Sequence, residues 1–194
     1  MDARYVKATT VTPLDVKVCG KRLLPFCLRH RVMLESIDSP FLDPDKKGFT
    51  AKDLMKAIRI ISTYEKCALD KPFSIKERAY IYLLNKSAKM LSMMCGFVLG
   101  HISNSCSYPK LWDKSENKEQ EKVPWILSCV ANNVRNGCSL EEAWTMPEGE
   151  AVWLSISHAI YNGAKIDVLS TDEEKKMEDF DSIVDNFKKS RFKN

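Results

Sequence analysis

The sequence is poor in the residues that turn-rich folds need: it has 7 glycines and 8 prolines among 194 residues. This composition disfavours an all-β fold built from many short strands and tight turns. Hydrophobic residues make up 44% and charged residues 29%, as in an ordinary globular protein, whereas disordered chains have fewer apolar residues and a larger charge imbalance. The length suits one large domain or two small ones, with a buried core.

The sequence also lacks the run of about 20 apolar residues that a membrane-spanning helix needs. Its densest apolar run, residues 90–100, is preceded by Lys86 and Lys89 and followed by His101. Gly96 and Gly100 form a GxxxG pair within this run. We interpret the pair as allowing a buried helix to pack closely against another helix, as small residues do at helix crossings.

Cysteine spacing gives no sign of a disulfide or zinc framework. The seven cysteines are an odd number, their spacing is irregular, and no CxxC pair occurs. The first residues lack the apolar core of a signal peptide. We therefore expect free thiols in a reducing compartment, several of them serving as small core residues.

Familiar catalytic, phosphate-binding and metal-binding patterns are missing. The sequence has no HExxH, GxSxG, GxxxxGK[ST] or GxGxxG. Asp43, Asp45 and Gly48 resemble the start of a calcium loop, but Lys47 and Leu54 stand where such a loop needs ligands. We expect no enzymatic activity, no metal and no cofactor. An enzyme whose site assembles only in space is a further hypothesis.

The three histidines lie far from one another and from any cysteine pair. We interpret His30, His101 and His158 as surface residues or as hydrogen-bonded residues at the edge of the core.

The hydrophobic periodicity predicts an all-α fold, a bundle of about seven helices, with a short N-terminal β-hairpin. Residues 1–12 are polar and are interpreted as an arm. Alternation at Leu14, Val16 and Val18, followed by Cys19-Gly20, predicts the hairpin. Helices are expected from Phe26 to Ser39-Pro40, after Thr50, over 75–104 with a break near Gly100, from Pro124 to Gly137, from Ser139 to Trp144, over 148–162, and from Ser170 to about Arg191.

Charge divides the chain into three regions. Residues 1–112, a basic helical region with the hairpin, carry 19 Lys and Arg against 10 Asp and Glu. Residues 113–122 contain no apolar residue and form a charged linker or loop, and residues 123–194 are a helical region. Residues 113–194 together carry 11 basic and 16 acidic residues. We expect one compact domain overall. The basic half leaves open a nucleic-acid-binding or other structural or adaptor role, although no recognition motif accompanies it.

Two groups of methionine and tryptophan residues are candidate protein-interaction surfaces. Both residue types are enriched at interfaces, but they are equally ordinary in cores, so the alternatives stay open. The candidates are Met90, Met93, Met94, Trp144, Met146 and Trp153.

Two stretches resemble the tail assembly chaperones of tailed bacteriophages. In the first, Pro-Phe-Cys-Leu at 25–28 opens a helix that ends near Ser-Pro-Phe at 39–41, and an Asp-Leu pair follows at 53–54. In the second, residues 139–153, a helix ends at Met-Pro and is followed by Glu-Ala-Val-Trp. The resemblance covers about residues 20–65 and 122–180, and does not account for the middle helix, the basic half or the cysteines.

The resemblance implies a non-enzymatic, helical virion assembly protein in the cytoplasm of the infected bacterial host. Its partner would be the tape measure protein, with the tail tube protein as a further candidate, and neither a membrane nor a cofactor is involved. Such a role favours self-association along a long partner. It also requires exposed apolar grooves that accept amphipathic helices.

Overall fold

A computed structural model describes residues 3–10, 15–43, 48–66, 68–111, 123–170, 172–177 and 179–180. These residues form helices and one antiparallel hairpin, which confirms the predicted all-α class. The elements, in chain order, are α1 (Ala3–Thr10), β1 (Lys17–Val18), β2 (Lys21–Arg22), α2 (Leu28–Glu35), α3 (Ala51–Ile61), α4 (Ile75–Lys86), α5 (Ala88–Ser105), α6 (Trp125–Arg135), α7 (Leu140–Thr145) and α8 (Glu148–Tyr161).

Residues 172–177 and 179–180 are also helical, as expected for the start of the last predicted helix. The rest of that helix lies outside the described residues. The same holds for the charged stretch 113–122 and for the centre of the calcium-like loop, residues 44–47.

Three expectations about the helices are wrong. Residues 3–10, part of the predicted arm, are helical in α1. The single helix expected over 75–104 is two helices that meet at Ser87, whose backbone is extended (φ −138°, ψ 99°). The Ser87 side chain accepts a hydrogen bond from the Met90 backbone N–H, so the residue that ends α4 also caps α5. The helix continues through Gly100, where the break was expected.

The predicted hairpin forms around a two-residue turn. Lys17 pairs with Arg22 and Val18 with Lys21. Cys19 (φ 49°) and Gly20 (φ 75°) both adopt the left-handed conformation that a type I′ turn requires. Val18 is completely buried, and Lys21 forms an ion pair of 2.9 Å with Glu77 of α4, so both strands are held to the helices.

Three of the helices α1 to α8 begin at reciprocal capping boxes. The side chains of Thr50, Ser74 and Ser139 each accept a hydrogen bond from the backbone N–H three residues later. The acidic side chain at that later position in turn accepts a hydrogen bond from the backbone N–H of the capping residue. Each such cap stabilises its helix by about 1 kcal/mol. These starts follow from the local sequence alone.

The core consists of two clusters. The larger surrounds α3, in which eight of the eleven residues are buried, and includes inward residues of α4 and α5. The smaller joins α6, α7 and α8, and it also contains Leu28 of α2. Helix α2 therefore contributes to both clusters, since Leu34 belongs to the larger one.

An extended segment, residues 23–27, runs between the clusters and bonds to three helical elements. The Leu24 backbone N–H donates to the Ile61 carbonyl at the end of α3, and the Leu24 carbonyl meets His101 Nε2 of α5 at 2.7 Å. The Phe26 carbonyl accepts the Glu148 N–H at the start of α8. Because the same segment bonds to both α5 and α8, it fixes how α5 is oriented relative to α8.

A candidate helix-binding groove on α5

Helix α5 is apolar on two faces, of which the fold buries one. Cys95, Val98 and Ile102 point into the larger core. Met93 and Phe97 lie on the opposite face and are each 51% exposed. The spacing places Gly96 and Gly100 on the same outward face as these two side chains.

The outward face borders a groove of about 400 Å³ between α5 and α1. Apart from the neighbouring residues and the backbone of α5 itself, no described heavy atom would lie within 4 Å of a Cβ added at Gly96 or Gly100. The interpretation that these glycines pack against a buried helix is therefore wrong for the described structure, in which they face open space. The groove is lined by Lys7, Ala8, Val16, Gly96, Phe97, Gly100, His101, Asn104, Ser105 and Pro147.

Of the three candidate methionines on α5, only Met93 is exposed. Met90 and Met94 are partly buried and pack against the larger core. Phe97, which the sequence interpretation did not single out, is the largest apolar side chain on the outward face. A usable signal was present, because Phe97 follows Met93 by four residues on the face opposite Cys95 and Val98.

Trp153 belongs to the core. Its side chain is 8% exposed, its indole N–H donates to the Ser107 carbonyl at 2.9 Å, and the Tyr5 ring meets it edge-on at 5.6 Å. These contacts fasten α1 and the chain after α5 to α8. The placement leaves little indole surface for a partner.

Trp144 and Met146 are partly buried against the smaller core. Trp144 also lines a shallower pocket of about 280 Å³ together with Val32 and Met33 of α2. The rim carries Lys66 and Arg29, and Arg29 is already held by Glu141 through two hydrogen bonds of 2.6 and 2.8 Å. The candidate interaction residues thus lie in three separate surroundings rather than on one surface.

The arginines of the basic half are engaged within the protein. Five of the six form ion pairs with carboxylates, and Arg78 donates to the Phe73 carbonyl. Nucleic-acid binding depends on cations that are free to meet phosphates. The pairs are Arg4–Glu174, Arg22–Asp15, Arg29–Glu141, Arg31–Glu148 and Arg59–Glu77.

A buried ionic cluster joins α2 to α8. Glu148, which has no exposed surface, accepts a 2.5 Å hydrogen bond from Arg31 Nε and another from the Tyr108 hydroxyl. Burial raises the pKa of Glu148, and the charge of Arg31 opposes that shift. The Arg31 guanidinium also lies 5.8 Å from the Trp125 ring centroid. We interpret this cluster as the link between the two halves of the fold.

Four cysteines and two histidines among the described residues have pKa values that burial shifts. Burial raises the pKa of four thiols to about 11, so they remain protonated near neutral pH. Burial lowers the pKa of both His30 and His101, and each meets a backbone carbonyl through Nε2. The four thiols are those of Cys27, Cys95, Cys106 and Cys129.

Within the part of the chain that the structure describes, no group of three or more His, Cys, Asp or Glu side chains is placed to hold a metal ion. No helix in those ranges is long and apolar enough to cross a membrane. Comparison with protein-family models, with curated proteins and with solved structures gave no match to this chain.

Proposed function

We propose that this protein is a non-enzymatic tail assembly chaperone of a tailed bacteriophage. It binds helical segments of the tape measure protein during tail assembly, in the cytoplasm of the infected host. The observation that carries the proposal is the outward face of α5, where Met93 and Phe97 flank a groove floored by Gly96 and Gly100. A partner helix needs such an apolar surface, with room for its backbone to approach.

The two stretches that resemble tail assembly chaperones also give some support. The Pro-Phe-Cys-Leu segment leads into α2, and the Thr50 cap opens the helix that carries the Asp-Leu pair. Helix α7 ends before Met146-Pro147, and α8, which follows at once, contains the Glu-Ala-Val-Trp residues. The resemblance implies the partner, and the groove is the surface to which we propose that it binds.

The nucleic-acid alternative has less support. Five of the six arginines of the basic half pair with carboxylates. Three of these carboxylates belong to residues 123–194, so the net charge of the basic half overstates the cation density open to a phosphate backbone.

The test is co-expression with the tape-measure-like protein encoded near this chain, followed by affinity capture, size exclusion and light scattering. A complex carrying many copies of this chain is expected. The tail tube protein serves as a second bait. A monomer that ignores the tape measure protein refutes the proposal.

Filling the groove connects that complex to α5. Gly100→Leu places an isobutyl group in the open space, and we expect it to abolish capture without unfolding the protein. The control is Ala131→Leu, which places the same leucine side chain at an exposed position of α6, outside the groove lining. If Gly100→Leu binds as well as the wild type does, the groove is not the binding site.

A further inference from the structure

We infer that the α5 groove takes an acidic amphipathic helix: a segment with small and apolar residues facing Gly96 and Gly100, and with Asp or Glu on its flanks. The inference rests on the proposed function, since it describes the segment that such a partner presents. It adds the chemistry by which the groove selects among helices.

The dimensions of the face set the length of the segment. The outward residues from Met93 to Asn104 span about 16 Å of α5, which is about three helical turns. The missing side chains at Gly96 and Gly100 allow a second backbone to approach closely. Met93 and Phe97 then pack beside the crossing point. A helix of three to four turns, with small residues at its centre, matches this surface.

The charge around the groove is positive. Lys7 is the one charged residue in the groove lining as described, and no Asp or Glu lines it. Lys89 is exposed one turn before Met93 on the same face of α5. Within the described ranges neither lysine forms an ion pair, unlike five of the six arginines of the same half. Acidic flanks on the partner meet these two cations.

The same charges argue against a second copy of this chain as the occupant. A copy docking by its own α5 face brings another Lys7 and Lys89 toward these lysines, and like charges across an interface oppose association. The positive rim therefore favours a partner of opposite charge over self-pairing at this face.

Two designed peptides test the inference. Both are 18-residue helices with alanine and leucine at the i, i+3, i+4 and i+7 positions, and the flanking positions are glutamate in one and lysine in the other. We expect the glutamate peptide to bind the full-length protein about fivefold or more tightly at low salt, with the difference shrinking at high salt. Isothermal titration calorimetry gives both affinities.

Charge reversal supplies the control. Lys7→Glu combined with Lys89→Glu should transfer the preference to the lysine peptide, whereas Lys165→Glu, an exposed change outside the groove lining, should leave it unaltered. Gly100→Leu should abolish binding of either peptide.

Three results overturn the inference. Equal affinities for the two peptides show that the groove does not select its partner by charge. The proposed function is then still decided by whether the protein captures the tape measure protein. No binding of either peptide at millimolar concentration shows that the groove does not take such helices. A dimer in solution that Gly100→Leu disrupts shows that a second copy occupies the groove.

Discussion

Replacing the glycines of α5 and of α8 by alanine should change stability in opposite directions. Gly96 and Gly100 lie inside α5, and an added Cβ at either position meets no described atom within 4 Å. Alanine is favoured over glycine within a helix by about 0.8–1 kcal/mol per residue. The double variant Gly96→Ala/Gly100→Ala should therefore gain about 2 kcal/mol, which raises Tm by about 4–8 °C for a chain of this size.

Gly149 on α8 is the matched opposite case. A Cβ there would stand 2.9 Å from the Ser105 carbonyl oxygen and 3.1 Å from the Ser107 backbone nitrogen. Both neighbours are backbone atoms, so the helices must separate to admit the methyl group. We expect Gly149→Ala to destabilise the protein by about 1–3 kcal/mol, the range that overpacking costs.

Urea unfolding at neutral pH, followed by circular dichroism, measures both variants against the wild type. The sign of the change in unfolding free energy for Gly96→Ala/Gly100→Ala is decisive. If Gly96→Ala/Gly100→Ala destabilises the protein, those glycines are packed against another part of it, and the groove that supports the proposed function does not exist. A gain in stability together with weakened capture of the partner is the combination that packing inside the fold cannot produce.

Three other predictions follow from buried groups. Because burial lowers the pKa of His30 to about 4, from an ordinary value near 6.5, the unfolded chain binds a proton that the native one excludes. Stability should fall by about 2 kcal/mol between pH 7 and pH 5 in urea titrations, and a flat profile contradicts this. Removing either Arg31 or Glu148 alone should lower the free energy of unfolding by about 3–5 kcal/mol. The double variant Arg31→Met/Glu148→Leu should lose much less than the sum of the two single losses, and additive losses in a double-mutant cycle count against the buried pair. Trp153→Ala should lower the free energy of unfolding by about 3–5 kcal/mol, whereas Met93→Ala should change it by less than about 0.5 kcal/mol. Similar losses from both variants would refute the assignment of Trp153 to the core and of Met93 to the surface.

The features that could be predicted from the sequence are those set by neighbours a few residues apart. The boxes at Ser74 and Ser139 need only a side chain and a backbone amide three positions away, so their helices begin where expected. Alternation before Cys19-Gly20 predicted the hairpin for the same reason. Such signals do not depend on the rest of the fold.

The features that could not be predicted depend on contacts across the chain. Helix α1 is short and polar, and it is held by Tyr5 against Trp153 and by Arg4 against Glu174. A helix of eight residues is marginal without such contacts. The boundary at Ser87 was missed because good helix formers flank it on both sides. Nor does a GxxxG pattern reveal whether its face meets another helix or open space.

The energetics of the groove indicate how such a chaperone would have to work. Met93 and Phe97 are each about half exposed, so covering them adds roughly 1 kcal/mol apiece, taken as half the value of burying a whole side chain. Two lysine pairs at the rim add less than about 1 kcal/mol each. Against the cost of immobilising a helix, gains of this size leave one groove with only weak binding.

Weak single sites become effective on a long partner that repeats its amphipathic pattern, because neighbouring copies then bind at high local concentration. We therefore expect light scattering to show complexes that hold many copies of this chain and gain copies as the tape measure fragment is lengthened. A tight complex of one copy with a short fragment would contradict this argument, since the exposed area of α5 is too small to account for it.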